Sequence, residues 1–106
     1  MNKKSVKSIV AYFTKKAEVA TVYLFGSQAR GEEKVESDID LAVLFKEKRG
    51  ENFNQTLSFA ADLEDLLNRK VEVQDITVAD LTFAVRVISE GKIIYQADEP
   101  ARIDFE

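Results

Sequence analysis

Two aspartates, Asp38 and Asp40, stand one residue apart in the stretch GSQARGEEKVESDIDLAVLF, residues 26–45. If that stretch is a strand, both side chains leave the same face, with their Cα atoms within ~7 Å. The same face continues as Ala42 and Leu44, so the carboxylates lie at the end of a buried strand and not along a solvated one. Two carboxylates held this close repel each other and raise each other's pKa. A divalent cation relieves that repulsion, and a site with oxygen ligands alone suits Mg²⁺ or Mn²⁺. Upstream, Gly26-Ser27 follows an apolar run. A glycine there lets backbone amides approach an anion, and Ser27 can either donate to a phosphate or cap a following helix. Joined on adjacent strands, an anion-cradling turn and a metal-binding carboxylate pair describe a site for a nucleoside triphosphate with metal.

The elements that must position these groups are legible from periodicity. Val6, Ile9, Val10, Phe13 and Ala17 follow one helical stripe, with Lys3, Lys4, Lys7, Lys15 and Lys16 on the solvated side. TVYLF (21–25) reads as a buried strand and DIDLAVLF (38–45) as an alternating one, with Ile39, Leu41, Val43 and Phe45 on one face. A short turn or helix is expected between them. KEKRGEN is a charged loop whose glycine is the expected flexible point. Phe53, Leu57, Ala60, Leu63 and Leu67 then predict a second helix, and KVEVQDI (70–76) a third strand. Thr77 and Asp80 form a capping-box pattern, Ile76 and Leu81 are spaced as a staple, and Leu81, Ala84, Val85 and Ile88 are the predicted buried stripe. Gly91 is placed to end that helix, KIIYQ reads as a last strand, and the acidic tail 97–106 as peripheral. The expected architecture is one α/β (α+β) domain over 1–106, a mixed sheet of about four strands covered by helices.

Composition narrows the chemistry. The 106 residues are 45% apolar and 32% charged, a globular mixture with a net charge of −4. An acidic balance gives no reason to expect duplex nucleic acid as a partner. Cysteine and histidine are both absent, which excludes disulfides, thiolate or imidazole metal sites, and histidine-based nucleophilic triads. No run approaches the ~20 apolar residues of a membrane span. MNKKSVKSIVAYF lacks a small-residue cleavage site and reads as a folded helix, so a cytoplasmic location is expected.

Gly26-Ser27, ten intervening residues and Asp38-Ile39-Asp40 reproduce the G-S-x10-D-x-D pattern, and the chain resembles the DNA polymerase β-like nucleotidyltransferase superfamily. The longer stretch LFGSQARGEEKVESDIDLAV, with Ala29-Arg30-Gly31 and Ser37, is similar to the minimal nucleotidyltransferase (MNT) group. The resemblance implies a polymerase β-like fold and a third carboxylate on a later strand. In RKVEVQDI that role falls to Glu72, one methylene longer than the aspartate of many relatives. Asp75 is the competing choice, but it projects to the opposite face and reads as a strand-end residue. The implied reaction moves a nucleoside monophosphate from ATP to a hydroxyl and releases pyrophosphate, with two Mg²⁺ ions ~3.5–4 Å apart. Asp38, Asp40 and Glu72 would hold the ions, while Gly26 and Ser27 grip the triphosphate. Arg30 either reaches a phosphate or pairs with Glu32, Glu33 or Glu36.

The chain ends about where the catalytic core of such enzymes does, so the acceptor is expected on another macromolecule or in a cleft completed by a homo- or hetero-oligomer. The resemblance implies an antitoxin that adenylylates a tyrosine of a HEPN-domain ribonuclease toxin from a neighbouring gene. Two alternatives stay open: an antitoxin acting by stoichiometric binding, and a transferase acting on a small alcohol.

Overall fold

The computed structural model describes residues 3–26, 38–46, 53–77 and 81–97. The expected segment between the first two strands, Ser27, Arg30, the 47–52 loop, the Asp80 capping position and the tail beyond Ala97 lie outside those residues. Helix α1 (Lys3–Thr14) leads into β1 (Val19–Phe25), β2 (Ile39–Phe45), α2 (Phe53–Leu67), β3 (Val71–Asp75), α3 (Leu81–Glu90) and β4 (Lys92–Gln96). The strands form one mixed sheet in the order β3-β2-β1-β4. β1 runs antiparallel to both β2 and β4, whereas β2 and β3 are parallel and joined through α2.

β1 starts two residues before the expected Thr21, because Val19 already pairs with Phe45. The register then slips between Val19 and Thr21, leaving Ala20 as an extra residue in the strand. The bulge breaks the alternation, so that Val19 and Val22, three residues apart, share one face while Ala20 and Tyr23 share the other. Both central strands are buried nearly throughout, which their near-continuous apolar sequences require.

Two cores result. Ile39, Leu41, Val43 and Phe45, the face read from alternation, join Val22 and Leu24 under α1 and α2. Phe59 is the hub of that layer, with its ring 5.4 Å from Phe13 and 6.1 Å from Phe45. Lys16 is half-buried, its Nζ 5.0 Å from the Tyr12 ring centroid, so it covers aromatic surface where a fully solvated side chain was expected. On the opposite face Ala20, Tyr23, Ala42, Leu44 and Ile76 pack with Val87 of α3.

The helix faces differ from expectation. α2 buries Thr56, Phe59 and Leu63 while Leu57 is exposed, a rotation of the predicted stripe about its shared Leu63. Asn68 ends α2 at φ 53°, the left-handed conformation of a helix terminus, and donates to the Glu64 carbonyl. α3 buries Ala84 and Val87, whereas Leu81 is 79% exposed and Val85 52%. The Ile76–Leu81 staple therefore does not form. The Thr77 hydroxyl instead accepts the Phe45 N–H at 3.0 Å, tying the end of β2 to the turn after β3.

Candidate functional site

The register of the sheet brings the acidic residues together. Phe25, the last residue of β1, pairs with Asp40, and Asp40 pairs in turn with Glu72 of parallel β3. Ile39 and Val71 pack into the α1/α2 core, so alternation sends Asp40 and Glu72 to the α3 face. The parallel ladder is anchored at this end by Ile39 donating to the Lys70 carbonyl at 3.0 Å. Asp40 and Glu72 are thus lateral neighbours at the edge of a rigid central sheet.

Gly26 completes this corner. Its φ is +74°, and a Cβ built on it would stand 2.6 Å from Asp40 Oδ2. Glycine is needed here twice, for the left-handed backbone and for the space the carboxylate fills. Gly91, between α3 and β4, also permits a close approach: a Cβ there would lie 2.5 Å from the Val87 carbonyl and 3.2 Å from that of Leu24. It ends the helix where expected, through tight packing of backbone against β1.

Burial, the first cause, holds the Asp40 carboxyl above its ordinary value. The Glu72 charge and a Glu72 hydrogen bond add to the effect, Asp38 contributes a smaller repulsion, and Lys70 opposes them. Asp38, just before β2, is exposed, and its Oδ2 lies 3.9 Å from Lys70 Nζ. Among the described residues no three carboxylates draw close enough to enclose an ion. Asp40 and Glu72 meet, while Asp38, expected with them, leans toward a lysine, as mutual repulsion of three charges favours. The donor set is nevertheless acidic and all-oxygen, and the Asp40–Glu72 repulsion, which Lys70 opposes, fits a hard divalent cation. Asp75 stays out of this corner, accepting the Thr77 N–H at 2.8 Å in the strand-end role expected of it.

These groups floor a cleft of about 800 Å³ beneath α3. Phe25, Gly26, Asp40, Glu72 and Gln74 form the sheet side; Thr82, Phe83, Arg86, Val87 and Glu90 form the helix side. Phe83 meets Phe25 edge to face at 5.7 Å, fixing the helix over the end of β1. The sequence reading missed the helix wall altogether. Its signal was the polar series Thr82, Arg86 and Glu90 at i, i+4 and i+8 beside the apolar stripe. Gln74, two residues beyond Glu72, was recoverable from strand alternation.

Comparisons with known proteins agree with this geometry. The family described as polymerase beta, nucleotidyltransferase matches residues 7–100. A curated relative from Methanocaldococcus jannaschii, provisionally named a protein adenylyltransferase, is 43% identical over 58 residues, 55% of this chain and 58% of that protein. The matched segment thus spans little more than half of the relative's length. Two solved structures share the fold, each at 22% identity. One is a tri-AMPylated Shewanella oneidensis HEPN toxin in complex with an MNT antitoxin (TM-score 0.76, covering 99% of this chain and 80% of that one). The other is a toxin–antitoxin with AMP-PNP (TM-score 0.75, 97% and 80%).

Proposed function

The chain belongs to the polymerase β nucleotidyltransferase family, and on that premise we propose that it is an antitoxin transferring AMP from ATP to a tyrosine hydroxyl of a HEPN ribonuclease toxin. The observation that carries the proposal is the pairing of Asp40 with Glu72 on adjacent parallel strands, with Gly26 seated against the Asp40 carboxylate. The relative named for protein adenylylation and the AMPylated HEPN complex support the acceptor class. The AMP-PNP complex supports ATP as donor.

In the proposed reaction the acceptor hydroxyl oxygen attacks the α-phosphorus of ATP. A new O–P bond forms as the bond from the α-phosphorus to the bridging oxygen breaks, and pyrophosphate leaves. Asp38, Asp40 and Glu72 would hold Mg²⁺, or Mn²⁺ in its place, with Asp38 swinging from Lys70 to join the other two. When bound, the metal neutralises charge on the attacking and departing oxygens. Glu72, on the acceptor side of the pair, would help take the acceptor's proton. The Gly26 amide and the Ser27 hydroxyl would bind the β- and γ-phosphates, with Arg30 as a further phosphate contact. The remainder of the catalysis is positioning, for which a sheet-borne constellation is suited.

A second reading has an observation in its favour. Leu81 and Val85 lie one turn apart and exposed on α3, an apolar strip suited to stoichiometric binding of a partner. Mixing the protein with Mg²⁺, α-labelled ATP and the HEPN protein encoded beside it separates the two. The transferase reading expects label on the partner at substoichiometric dose, and its loss in the Asp38→Asn, Asp40→Asn double variant. Protection that survives that double variant, with no labelled product, would establish the binder instead.

A further inference from the structure

The cleft is acidic where its proposed ligand is also acidic. Asp40, Glu72 and Glu90 all line it, and among the described lining residues Arg86 is the single cation. The C-terminal end of α3 adds to the imbalance. Gly91 packs against the Leu24 carbonyl and the Phe25 side chain, so the negative end of the helix dipole lies beside the end of β1 where Gly26 begins the turn. A triphosphate entering here meets repulsion from carboxylates and helix terminus alike; a metal held by the carboxylates would relieve it on the sheet side, and a cation on the helix wall would relieve it on the other.

Arg86 has the chemistry and the freedom to do so. Its side chain is 72% exposed, and its Nε lies 3.5 Å from Glu90 Oε2, at the outer limit of a hydrogen bond. Such an exposed i,i+4 pair is weak and easily exchanged. A guanidinium offers two parallel N–H groups that match two phosphate oxygens, a stronger arrangement than its single long contact with Glu90.

We propose that Arg86 is a nucleotide-binding residue, leaving Glu90 to take a phosphate of the triphosphate bound across the cleft. Glu90 holds the guanidinium over the cleft in the meantime and competes with the ligand for it. The inference rests on the nucleotidyl-transfer reading, and it adds a phosphate contact from the helix wall to the one proposed for the Gly26 amide.

The test is calorimetric titration of the full chain with α,β-methylene ATP and Mg²⁺, and separately with tripolyphosphate and with adenosine. The Arg86→Ala variant should bind the ATP analogue and tripolyphosphate about tenfold more weakly, a change of about 1.4 kcal/mol. Its adenosine affinity should stay that of the parent. Arg86→Lys should fall between the two, since it keeps the charge without the fork. Glu90→Gln should bind the analogue more tightly, because the competitor is gone. Thermal melting of Arg86→Ala should match the parent, which separates lost contact from lost fold. Unchanged analogue affinity in Arg86→Ala, an equal loss for adenosine, or weaker binding in Glu90→Gln each overturns the proposal. An effect seen only on modification of the acceptor protein would move Arg86 to acceptor recognition and overturns it too. A parent protein that binds neither nucleotide nor tripolyphosphate overturns the nucleotidyl-transfer reading itself, an outcome distinct from failure of the variant alone.

Discussion

Asp40 is half-buried, and among the described residues Glu72 and Asp38 disfavour its charge while Lys70 favours it. Its folded-state pKa is raised above the unfolded value near 3.8, so its favourable contribution to stability is present in acid and lost as pH rises through the folded value. At neutral pH the ionised carboxylate therefore destabilises the metal-free protein. Asp40→Asn removes the charge and lets an amide donate to Glu72. In chelator this variant should melt above the parent at pH 7, and the gap should close as pH falls toward 4. A variant that melts lower at pH 7 would show that the charge is compensated and the account of the pair is wrong. Gly26→Ala acts on the same carboxylate from the other side. The left-handed backbone alone should cost about 1–2 kcal/mol in denaturant melts, and the added methyl must displace Asp40, so transferase activity should fall further than stability does.

At the scale of elements, the orientation of α3 decides what the cleft contains. Val87 is 1% exposed against Leu44 and Ile76, while Val85 is 52% exposed two residues earlier. Val87→Ala should cost about 2 kcal/mol in urea melts through lost burial and a cavity. Val85→Ala should stay within about 0.5 kcal/mol of the parent. The reverse ranking would restore the Leu81, Ala84, Val85 and Ile88 stripe expected from the sequence, of which Ala84 is buried and Leu81 and Val85 are exposed, and would turn Arg86 away from the cleft. That expectation failed for an identifiable reason. Apolar residues stand on both sides of α3, and periodicity measures a stripe without knowing which neighbouring surface receives it. α2 repeats the lesson, since Leu57 and Phe59 begin competing stripes that share Leu63. Only the hollow between Phe13 and Phe45 selects Phe59.

The strands were easier to read, because a period of two leaves a single choice of face, whereas the place of Glu72 beside Asp40 came from the family resemblance. Their pairing required register as well, which depends on β2 and β3 being parallel neighbours, a fact of topology absent from either segment alone. Asp38 was the weaker inference. The residue stands just ahead of β2 and not within the strand expected to begin there, and its position 3.9 Å from Lys70 depends on a charge contributed by the start of another strand. Gly91 was correctly placed as a helix stop for a different physical reason, close backbone approach in place of a left-handed turn.

At the scale of the whole molecule, the two faces of the sheet are unequally covered. Among the described residues α1 and α2 seal one face around Phe59, whereas α3 alone covers the other and leaves the Asp40–Glu72 corner open beneath its polar edge. A ligand that bridges sheet and helix there should stabilise the more thinly covered face. At 100 times its dissociation constant a ligand confined to the native state adds about 2.7 kcal/mol. For a chain of this size, with each kcal/mol worth about 4–8 °C, the melting temperature should rise by roughly 10–20 °C. Mg²⁺ should be required for most of that gain, because ATP alone brings further negative charge to carboxylates that already repel. Mg²⁺ alone should give a smaller rise, which disappears in Asp40→Asn. Hydrogen exchange should locate the effect, slowing amides near Phe25, Asp40 and the last turns of α3 while leaving the surface of α1 unchanged. Equal stabilisation by ATP with Mg²⁺ and by ATP in chelator would mean that the nucleotide is held without the carboxylate pair, and that the opening under α3 serves some purpose other than metal-assisted transfer.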